Sequence, residues 1–266
     1  RIVNEPTAAA LAYGLGTSKE PRTVAIYDLG GGTFDISILR ITPAENEGET
    51  SFFQVLATAG DTHLGGDDID QNLVRIFLDE IRDTLGIAEG VTDLDAFPAE
   101  TRRALVSFAE AIKIRLSTED SAQIRIDLGE GRAYDRTVTR DELNAIMTPW
   151  VERTIEACGR AMRDAEKSSG EKPEIDAVVM VGGSTRIPLV RDRAGAFFGV
   201  DPYTALDPDT VVALGAAVQA GIMSGSATGS LLLDVIQLSH GIKTQGGAVA
   251  KFTTANSTVP ARATEM

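Results

Sequence analysis

The sequence predicts an α/β fold, and three observations lead to that prediction. Near the start, three segments have the alternating pattern of antiparallel strands, residues 23–27, 34–41 and 51–58. Apolar residues then recur at helical spacing in three longer segments, residues 67–85, 98–116 and 139–166. Finally, a short apolar strand at 177–181 runs into glycines and a helix, which is the strand–turn–helix order of α/β proteins. With 266 residues and 43% hydrophobic content, the chain can bury a sizeable core.

Composition argues against several classes of protein. The formal net charge of −14 leaves no basic stripe for phosphate backbones, so we expect no nucleic-acid partner. Cys158 is the only cysteine and there are two histidines, so an internal disulfide and a zinc cluster are not expected. No run approaches the ~18 apolar residues of a membrane span, and the first residues lack a signal-peptide pattern. We therefore expect a cytoplasmic protein with no membrane partner.

The segment from Asp28 to Asp35 is the strongest candidate for a binding site. It joins two predicted strands through three consecutive glycines, Gly30, Gly31 and Gly32. Without Cβ atoms, the backbone can let a bulky anion approach and can direct successive N–H groups at it, which predicts a phosphate cradle. Asp28 and Asp35 suit a hydrated Mg²⁺, and the Thr33 hydroxyl is placed to reach a terminal phosphate. A glycine-rich hairpin with a solvated Asp at each end is the alternative interpretation.

Two further stretches are candidates for binding the rest of such a ligand. The strand at 177–181 is followed by Gly182, Gly183, Ser184, Thr185 and Arg186. At such a turn the backbone can approach a ligand closely, and a guanidinium plane could stack on an adenine ring, although an exposed arginine is the alternative. On the helix over 98–116, one polar stripe is formed by Glu110, Lys113 and Ser117. Such a stripe is ordinarily solvated, unless it lines a cleft that holds a ribose and a base.

The two ends of the chain carry weaker signals. Glu5 opens a short alanine-rich helix, where it is either a capping carboxylate or a site residue. Near the other end, a linker rich in Gly, Ser, Ala and Thr precedes the apolar segment 231–235, whose pattern suits docking in a groove. The segment from Gln237 to Val259 is typical of short strands, but so short a piece cannot close a β-domain by itself.

Six stretches together resemble the seventy-kilodalton heat-shock chaperones of the DnaK type, within the actin and sugar-kinase superfamily. In family order they are NEPTAAALAYGL at 4–15, DLGGGTFDISIL at 28–39, GDTHLGGDD at 60–68, VMVGGSTRIPLVR at 179–191, DPDTVVALGAAVQAG at 207–221 and LLLDV at 231–235. They span nearly the whole chain. The segments DISILR, TIEACGRAM and NSTVPARATE are most similar to sequences of the branch devoted to iron–sulfur cluster assembly.

The resemblance implies a division of the chain. Residues 1–223 would be the C-terminal part of a nucleotide-binding ATPase domain, lobe II of an actin-like (ribonuclease H-like) fold, with 60–138 as a smaller inserted subdomain. Residues 224–235 would be the interdomain linker, and 236–266 the truncated start of a β-sandwich peptide-binding domain. Since the family's first lobe has no counterpart here, the chain is expected to be a fragment. Its first and last ATPase-domain helices belong to that lobe in family members and are therefore expected to lack packing partners.

The resemblance also implies residue roles, with ATP or ADP and Mg²⁺ as ligands. Asp28 would hold Mg²⁺ through water, Glu5 would organise the metal and the attacking water, and Asp35 is a further candidate at the metal. Thr33 and the three glycines would contact the β- and γ-phosphates. The adenosine would be enclosed by Glu110, Lys113, Ser117, Gly182, Gly183, Ser184 and Arg186. Asp209 would lie at the hinge between lobes, and Ile114 stands where some relatives place a second arginine against adenine.

The implied function is that of an ATP-dependent molecular chaperone in which hydrolysis is coupled through residues 231–235 to peptide binding. The implied partners are client peptides, a J-domain co-chaperone, and a nucleotide exchange factor or an iron–sulfur scaffold protein. The alternatives are a sugar kinase or other actin-fold phosphotransferase, and a non-catalytic fragment that binds co-chaperones. Phosphoryl transfer requires that the charge of the phosphates is stabilised from both lobes of the domain, and this chain would supply one lobe only. By itself it is therefore expected to bind ATP at millimolar concentration or not at all, and to be inactive. Gln237, His240 and Gln245 depart from the family's peptide-cleft pattern, which leaves the mode of peptide binding open.

Overall fold

The computed structural model describes residues 2–15, 20–44, 51–85, 99–129, 132–225, 230–236, 238–259 and 262. The helices are α1 (Glu5–Ala12), α2 (Gly66–Leu85), α3 (Ala99–Leu116), α4 (Arg140–Ser169), α5 (Pro188–Phe198) and α6 (Val211–Met223). The strands are β1 (Arg22–Leu29), β2 (Phe34–Thr42), β3 (Ser51–Asp61), β4 (Ser121–Gly129), β5 (Arg132–Thr139), β6 (Ala177–Val181), β7 (Ser230–Leu233), β8 (His240–Lys243) and β9 (Val249–Thr253). The predicted mixture of helices and strands is confirmed. Among the helices described, none has both the length and the apolar character needed to cross a membrane.

Five strands form one mixed sheet in the order β6–β1–β2–β3–β7. The antiparallel meander of β1, β2 and β3 is as predicted, and β6 and β7 join its two edges in parallel. The register pairs Asp28 with Asp35 and Leu29 with Phe34, so residues 30–33 form the tip of the β1–β2 hairpin. Because Asp28 also pairs with Val181, strand β6 ends beside this tip. The turn that follows β6 is therefore brought next to the glycines.

The sheet packs against helices on both faces. On one face, the buried side chains of Tyr27 and Ile36 share a core with α2, α3, α4 and α5. The hydroxyl groups of Tyr27 and Thr154, the latter on α4, form a buried hydrogen bond of 2.5 Å. The other face packs against α1 and α6. Ser37, which the alternating pattern of β2 places on the face opposite Ile36 and Ile38, is only 1% exposed.

Helices α1 and α6 cross at very short range. A Cβ atom added at Gly215 would lie 1.7 Å from the carbonyl oxygen of Ala8, so only glycine permits this crossing. Ala9 and Ala10 are fully buried in the same layer. The expectation that these two helices lack partners is wrong for this structure, since they pack on each other and on the sheet.

A smaller unit is built from α2, α3 and the β4–β5 hairpin. Phe77 and Leu105 are fully buried in it, and the guanidinium of Arg136 lies 5.8 Å from the centroid of the Phe77 ring. The Tyr134 hydroxyl donates to Glu80 Oε2 at 2.5 Å, which ties the hairpin to α2. These elements cover most of 60–138, and the separate subdomain over that range stays a prediction.

The last described segment is attached to the edge of the main sheet. Strand β7 pairs in parallel with the first residues of β3, so part of the segment expected to dock in a groove instead extends the sheet. Beyond it, the N–H of Val259 donates to the Asp234 carbonyl at 2.8 Å. The Thr58 N–H of β3 donates to Asn256 Oδ1 at 3.0 Å. Strands β8 and β9 form a largely exposed hairpin, and its membership of a β-sandwich domain stays a prediction.

We predict that Gly215→Ala lowers the free energy of unfolding by about 1–3 kcal/mol, because the added methyl group overlaps the backbone of α1. Gly159→Ala in α4 is the matched control, since its Cβ would meet only the Arg163 side chain at 3.4 Å. That substitution should add up to about 1 kcal/mol through helix propensity. Urea denaturation of both variants measures the difference. Equal changes at the two positions would show that the helix crossing imposes no such constraint.

Candidate functional site

The tip of the β1–β2 hairpin has a defined orientation. The N–H groups of Gly66, Asp67 and Leu64 donate to the carbonyl oxygens of Gly30, Gly31 and Gly32 at 3.0, 2.7 and 3.2 Å, respectively. Among the described residues, none accepts a hydrogen bond from the N–H groups of Gly31 and Gly32. With their carbonyls bound to one side, the glycines keep these N–H groups available to an anion.

The loop that follows β3 supports this tip at close range. A Cβ atom at Gly65 would lie 2.1 Å from the Gly31 carbonyl oxygen, and one at Gly66 would lie 2.5 Å from the Ser184 hydroxyl. Glycine is therefore required at position 65, where the clash is with backbone, whereas a Cβ at position 66 would displace the side-chain ends of Ser184 and Lys113. From the sequence we predicted no binding role for this loop, although paired glycines can indicate that another backbone approaches closely.

A cleft of about 850 Å³ opens beside the hairpin tip. It brings together eight of the residues that the sequence predicted for a site: Gly31, Glu110, Lys113, Ser117, Gly183, Ser184, Arg186 and Asp209. The Ser184 hydroxyl donates to the Gly30 carbonyl at 3.0 Å, which fixes the turn after β6 against the tip. Asp67 and Arg191 also line the cleft, and sequence reasoning missed both. Gly31 at the hairpin tip and Arg186 thus share one cleft.

The polar stripe on α3 is partly engaged by the protein itself. Lys113 Nζ forms an ion pair with Asp70 Oδ2 at 2.7 Å and donates to the Gly66 carbonyl at 3.1 Å. Burial raises the pKa of Asp70, and the ammonium of Lys113 opposes that shift. The Ser117 hydroxyl donates to the Lys113 carbonyl at 3.1 Å. The ammonium of Lys113 is therefore fixed at the wall of the cleft, while Glu110 is exposed.

The turn after β6 depends on an unusual backbone conformation. Gly182 has φ +85°, and a Cβ there would lie 2.4 Å from the Leu29 carbonyl oxygen. The 3₁₀ turn Gly183–Arg186 follows and places the Arg186 side chain at the cleft. Arg186 Nη2 forms ion pairs with Asp207 and Asp209. Asp209, expected at a hinge between lobes, therefore contacts the arginine expected at the base.

The predicted carboxylates lie in a second cleft, of about 610 Å³. Glu5, Asp28 and Asp35 line it together with residues of the last segment, including Val235 and His240. Burial, followed by repulsion from Glu5 and Asp35, raises the pKa of Asp28 to about 7. Burial and Glu5 also raise the pKa of Asp35.

Thr33 is exposed at the hairpin tip, and neither cleft is lined by Thr33, Gly30, Gly32 or Gly182. Within the described ranges, no group of three or more His, Cys, Asp or Glu side chains is arranged to hold a metal ion by itself. A cation bound near these carboxylates would need further ligands.

Comparison with known proteins agrees with the resemblance. The family model for the Hsp70 protein matches residues 1–266. The chain is 48% identical over 262 residues to the chaperone protein HscA of Citrobacter koseri, a match that covers 98% of this chain and 38% of the relative. It is 47% identical over 268 residues to HscA of Cronobacter sakazakii, covering 100% of this chain and 39% of the relative. The HscA homolog of Haemophilus influenzae is 46% identical, with the same coverage. The chain spans less than two fifths of the length of these relatives and belongs to the Hsp70 family, as a member of the HscA type.

Proposed function

We propose that the whole protein is an ATP-dependent molecular chaperone that acts in protein folding and iron–sulfur cluster assembly. One observation carries the nucleotide part of this proposal: Gly31, at the glycine tip with its free N–H groups, lines the same cleft as Arg186. The names of the similar proteins, which describe chaperones, support the chaperone part. The similarity runs through the last segment of the chain and so favours a chaperone over a sugar kinase.

The cleft suggests how a nucleotide would lie in it. The N–H groups of Gly31 and Gly32 and the Thr33 hydroxyl would bind the β- and γ-phosphates. The polar stripe of α3 would face the ribose, and the base would lie between Arg186 and Ile114, whose side chain is 61% exposed at the cleft. Backbone N–H groups at a glycine turn bind phosphate without long side chains, which suits a ligand that must be released after each cycle.

The carboxylate cluster fits a hydrated Mg²⁺. Burial, and after it repulsion from Glu5 and Asp35, raises the pKa of Asp28, and burial and Glu5 raise the pKa of Asp35; a cation would relieve the repulsive part of these shifts. Oxygen ligands that leave room for water are those that Mg²⁺ prefers. When bound, Mg²⁺ would neutralise charge on the phosphates. Asp28 would hold it through water, and Glu5 would orient the attacking water.

The rest of the ATP site would come from the part of the protein that this chain does not span. We propose that 1–223 is the C-terminal part of the nucleotide-binding domain, with 60–138 as its inserted subdomain. Residues 224–235 would link it to a peptide-binding β-domain that begins at 236. Client peptides, a J-domain co-chaperone, an exchange factor and an iron–sulfur scaffold protein are the proposed partners.

Contacts between the linker and α1 support coupling between peptide and nucleotide. Strand β7 binds the edge of β3, and Asp234 directly after it accepts a 2.9 Å hydrogen bond from the Thr7 hydroxyl. Thr7 is 1% exposed and lies two residues after Glu5 in the first turn of α1. Undocking of the linker would therefore release a buried contact next to a proposed catalytic carboxylate.

Gly32→Ala tests the phosphate cradle in the full-length protein. A Cβ at Gly32 would meet nothing within 4 Å, so the variant should fold normally. The methyl group should nevertheless obstruct the anion, and we expect ATP affinity to fall by about tenfold, the loss of one charge-assisted contact. Titration calorimetry with ATP, and with adenosine as the phosphate-free control, measures the effect. Unchanged ATP affinity would contradict the proposed placement of the phosphates.

Thr7→Val tests the coupling route, because valine keeps the shape of threonine but cannot donate to Asp234. We expect peptide stimulation of ATP hydrolysis by the full-length protein to fall by about fivefold, the equivalent of one net hydrogen bond. Thr7→Ser retains the hydroxyl and should retain most of the stimulation. Leu232→Asp and Leu233→Asp should also uncouple the two activities, whereas Ser168→Asp, which adds a charge at an exposed position of α4, should not. Normal stimulation in Thr7→Val would exclude this contact from the coupling.

This chain alone should bind ATP at millimolar concentration or not at all and should not hydrolyse it, because charge stabilisation from the remainder of the site is absent. Calorimetry on the isolated chain beside the full-length protein makes the comparison. Micromolar binding with turnover by the isolated chain would show that the described residues already form a sufficient site.

A further inference from the structure

The ion pairs of Arg186 suggest a role for a residue outside the predicted site, if the proposed nucleotide cleft is accepted. Arg186 Nη2 donates to Asp207 Oδ1 at 2.5 Å and to Asp209 Oδ2 at 2.8 Å. Both carboxylates contact the same nitrogen, so they hold one corner of the planar guanidinium. Among the described residues, no aromatic ring stacks on its face. Because both pairs stabilise the charged form, the pKa of Arg186 is raised.

Asp207 is itself held in place by the turn in which it lies. Its Oδ1 accepts the N–H of Asp209 at 3.0 Å, and its carbonyl accepts the N–H of Val211 at 3.0 Å. The turn is joined to the site because the N–H of Gly182 donates to the Pro208 carbonyl at 3.2 Å. Asp207 is thus positioned by backbone contacts to the same glycine turn that presents Arg186.

The charges of the cleft favour a neutral group beside Arg186. Among the described residues that line the cleft, four are basic and four are acidic, so its formal charge is balanced. Lys113 and Arg115 are paired with Asp70 and Glu119, and two carboxylates face the single charge of Arg186. Ile114 adds apolar surface to the same cleft. The charge of the planar guanidinium is compensated by two carboxylates, and an aliphatic side chain lies in the same cleft. Such surroundings suit an uncharged flat ring better than a phosphate.

We propose that Asp207 is a positioning residue for base recognition. It orients the guanidinium of Arg186 and, with Asp209, offsets its charge, so that this end of the cleft takes an uncharged purine and rejects an anionic group. The phosphates are thereby directed to the glycine tip, and the nucleotide has one orientation in the cleft. Asp207 acts only through Arg186 and need not contact the nucleotide.

The test uses the full-length protein and two triphosphates that differ in the charge of the base. Adenine is neutral, whereas the xanthine of xanthosine triphosphate is anionic near neutral pH. Asp207→Asn keeps an oxygen for the Asp209 N–H but removes the charge, and Asp207→Ser is a second variant that keeps a capping oxygen. We expect either variant to bind ATP and adenosine about fivefold more weakly than the wild type, which is the equivalent of one net hydrogen bond. Either variant should bind xanthosine triphosphate no more weakly than the wild type does. Asp192→Asn, at an exposed position of α5, should change neither affinity.

A double-mutant cycle with Arg186→Ala completes the test. In that background, Asp207→Asn should have no further effect on ATP affinity. Additive effects, equal losses for the two triphosphates, or wild-type affinities in both Asp207 variants would each overturn the positioning role and leave the nucleotide cleft standing. If the wild-type protein bound neither ATP nor adenosine, the proposed function would fail, and this inference would fail with it.

Discussion

The contact between the glycine tip of the β1–β2 hairpin and the loop at residues 64–67 is the constraint on which the rest of the site depends. Three backbone N–H groups of that loop donate to three successive glycine carbonyls, and this contact orients the glycine N–H groups away from the loop. It is possible only because Gly65 has no side chain to meet the backbone of Gly31. The Ser184 hydroxyl binds the same tip and thereby ties it to the turn that carries Arg186. These hydrogen bonds therefore fix the position of the glycine tip relative to the turn that carries Arg186. Such preorganisation lowers the cost of binding a polar ligand.

Much of the fold could be predicted because its signals are local. The alternation of Phe34, Ile36 and Ile38 identified β2. Thr139 followed three residues later by Glu142 is the sequence pattern of a capping box, and the hydrogen bonds between these two residues show that α4 begins there. Features that depend on distant partners were not predictable in the same way. Strand β7 exists because β3 offers a free edge, and the crossing of α1 and α6 depends on contact between Ala8 and Gly215. Neither contact leaves a periodic pattern in the sequence. The burial of Ser37 likewise cannot be deduced from the alternating pattern of β2.

In the candidate site, too, local sequence patterns predicted some features, while others depend on residues far apart in the chain. Glycine runs and the strand–turn–helix order pointed to Gly31, Gly183, Ser184 and Arg186, and the structure brings them to one cleft. The partners of these residues were not visible in the sequence. Lys113 is paired with Asp70, 43 residues away, and Arg186 with Asp207, 21 residues away. The sequence could therefore identify the groups that would touch a ligand better than the groups that hold them in position. In this cleft the supporting carboxylates hold the basic side chains through ion pairs.

If the glycine tip and Arg186 bind opposite ends of one nucleotide, a crystal structure of the full-length protein with ADP and Mg²⁺ will show it. We expect phosphate oxygens within hydrogen-bonding distance of the N–H groups of Gly31 and Gly32, with the adenine ring against Arg186 and Ile114. A nucleotide bound in the reverse orientation, or outside this cleft, would contradict this expectation.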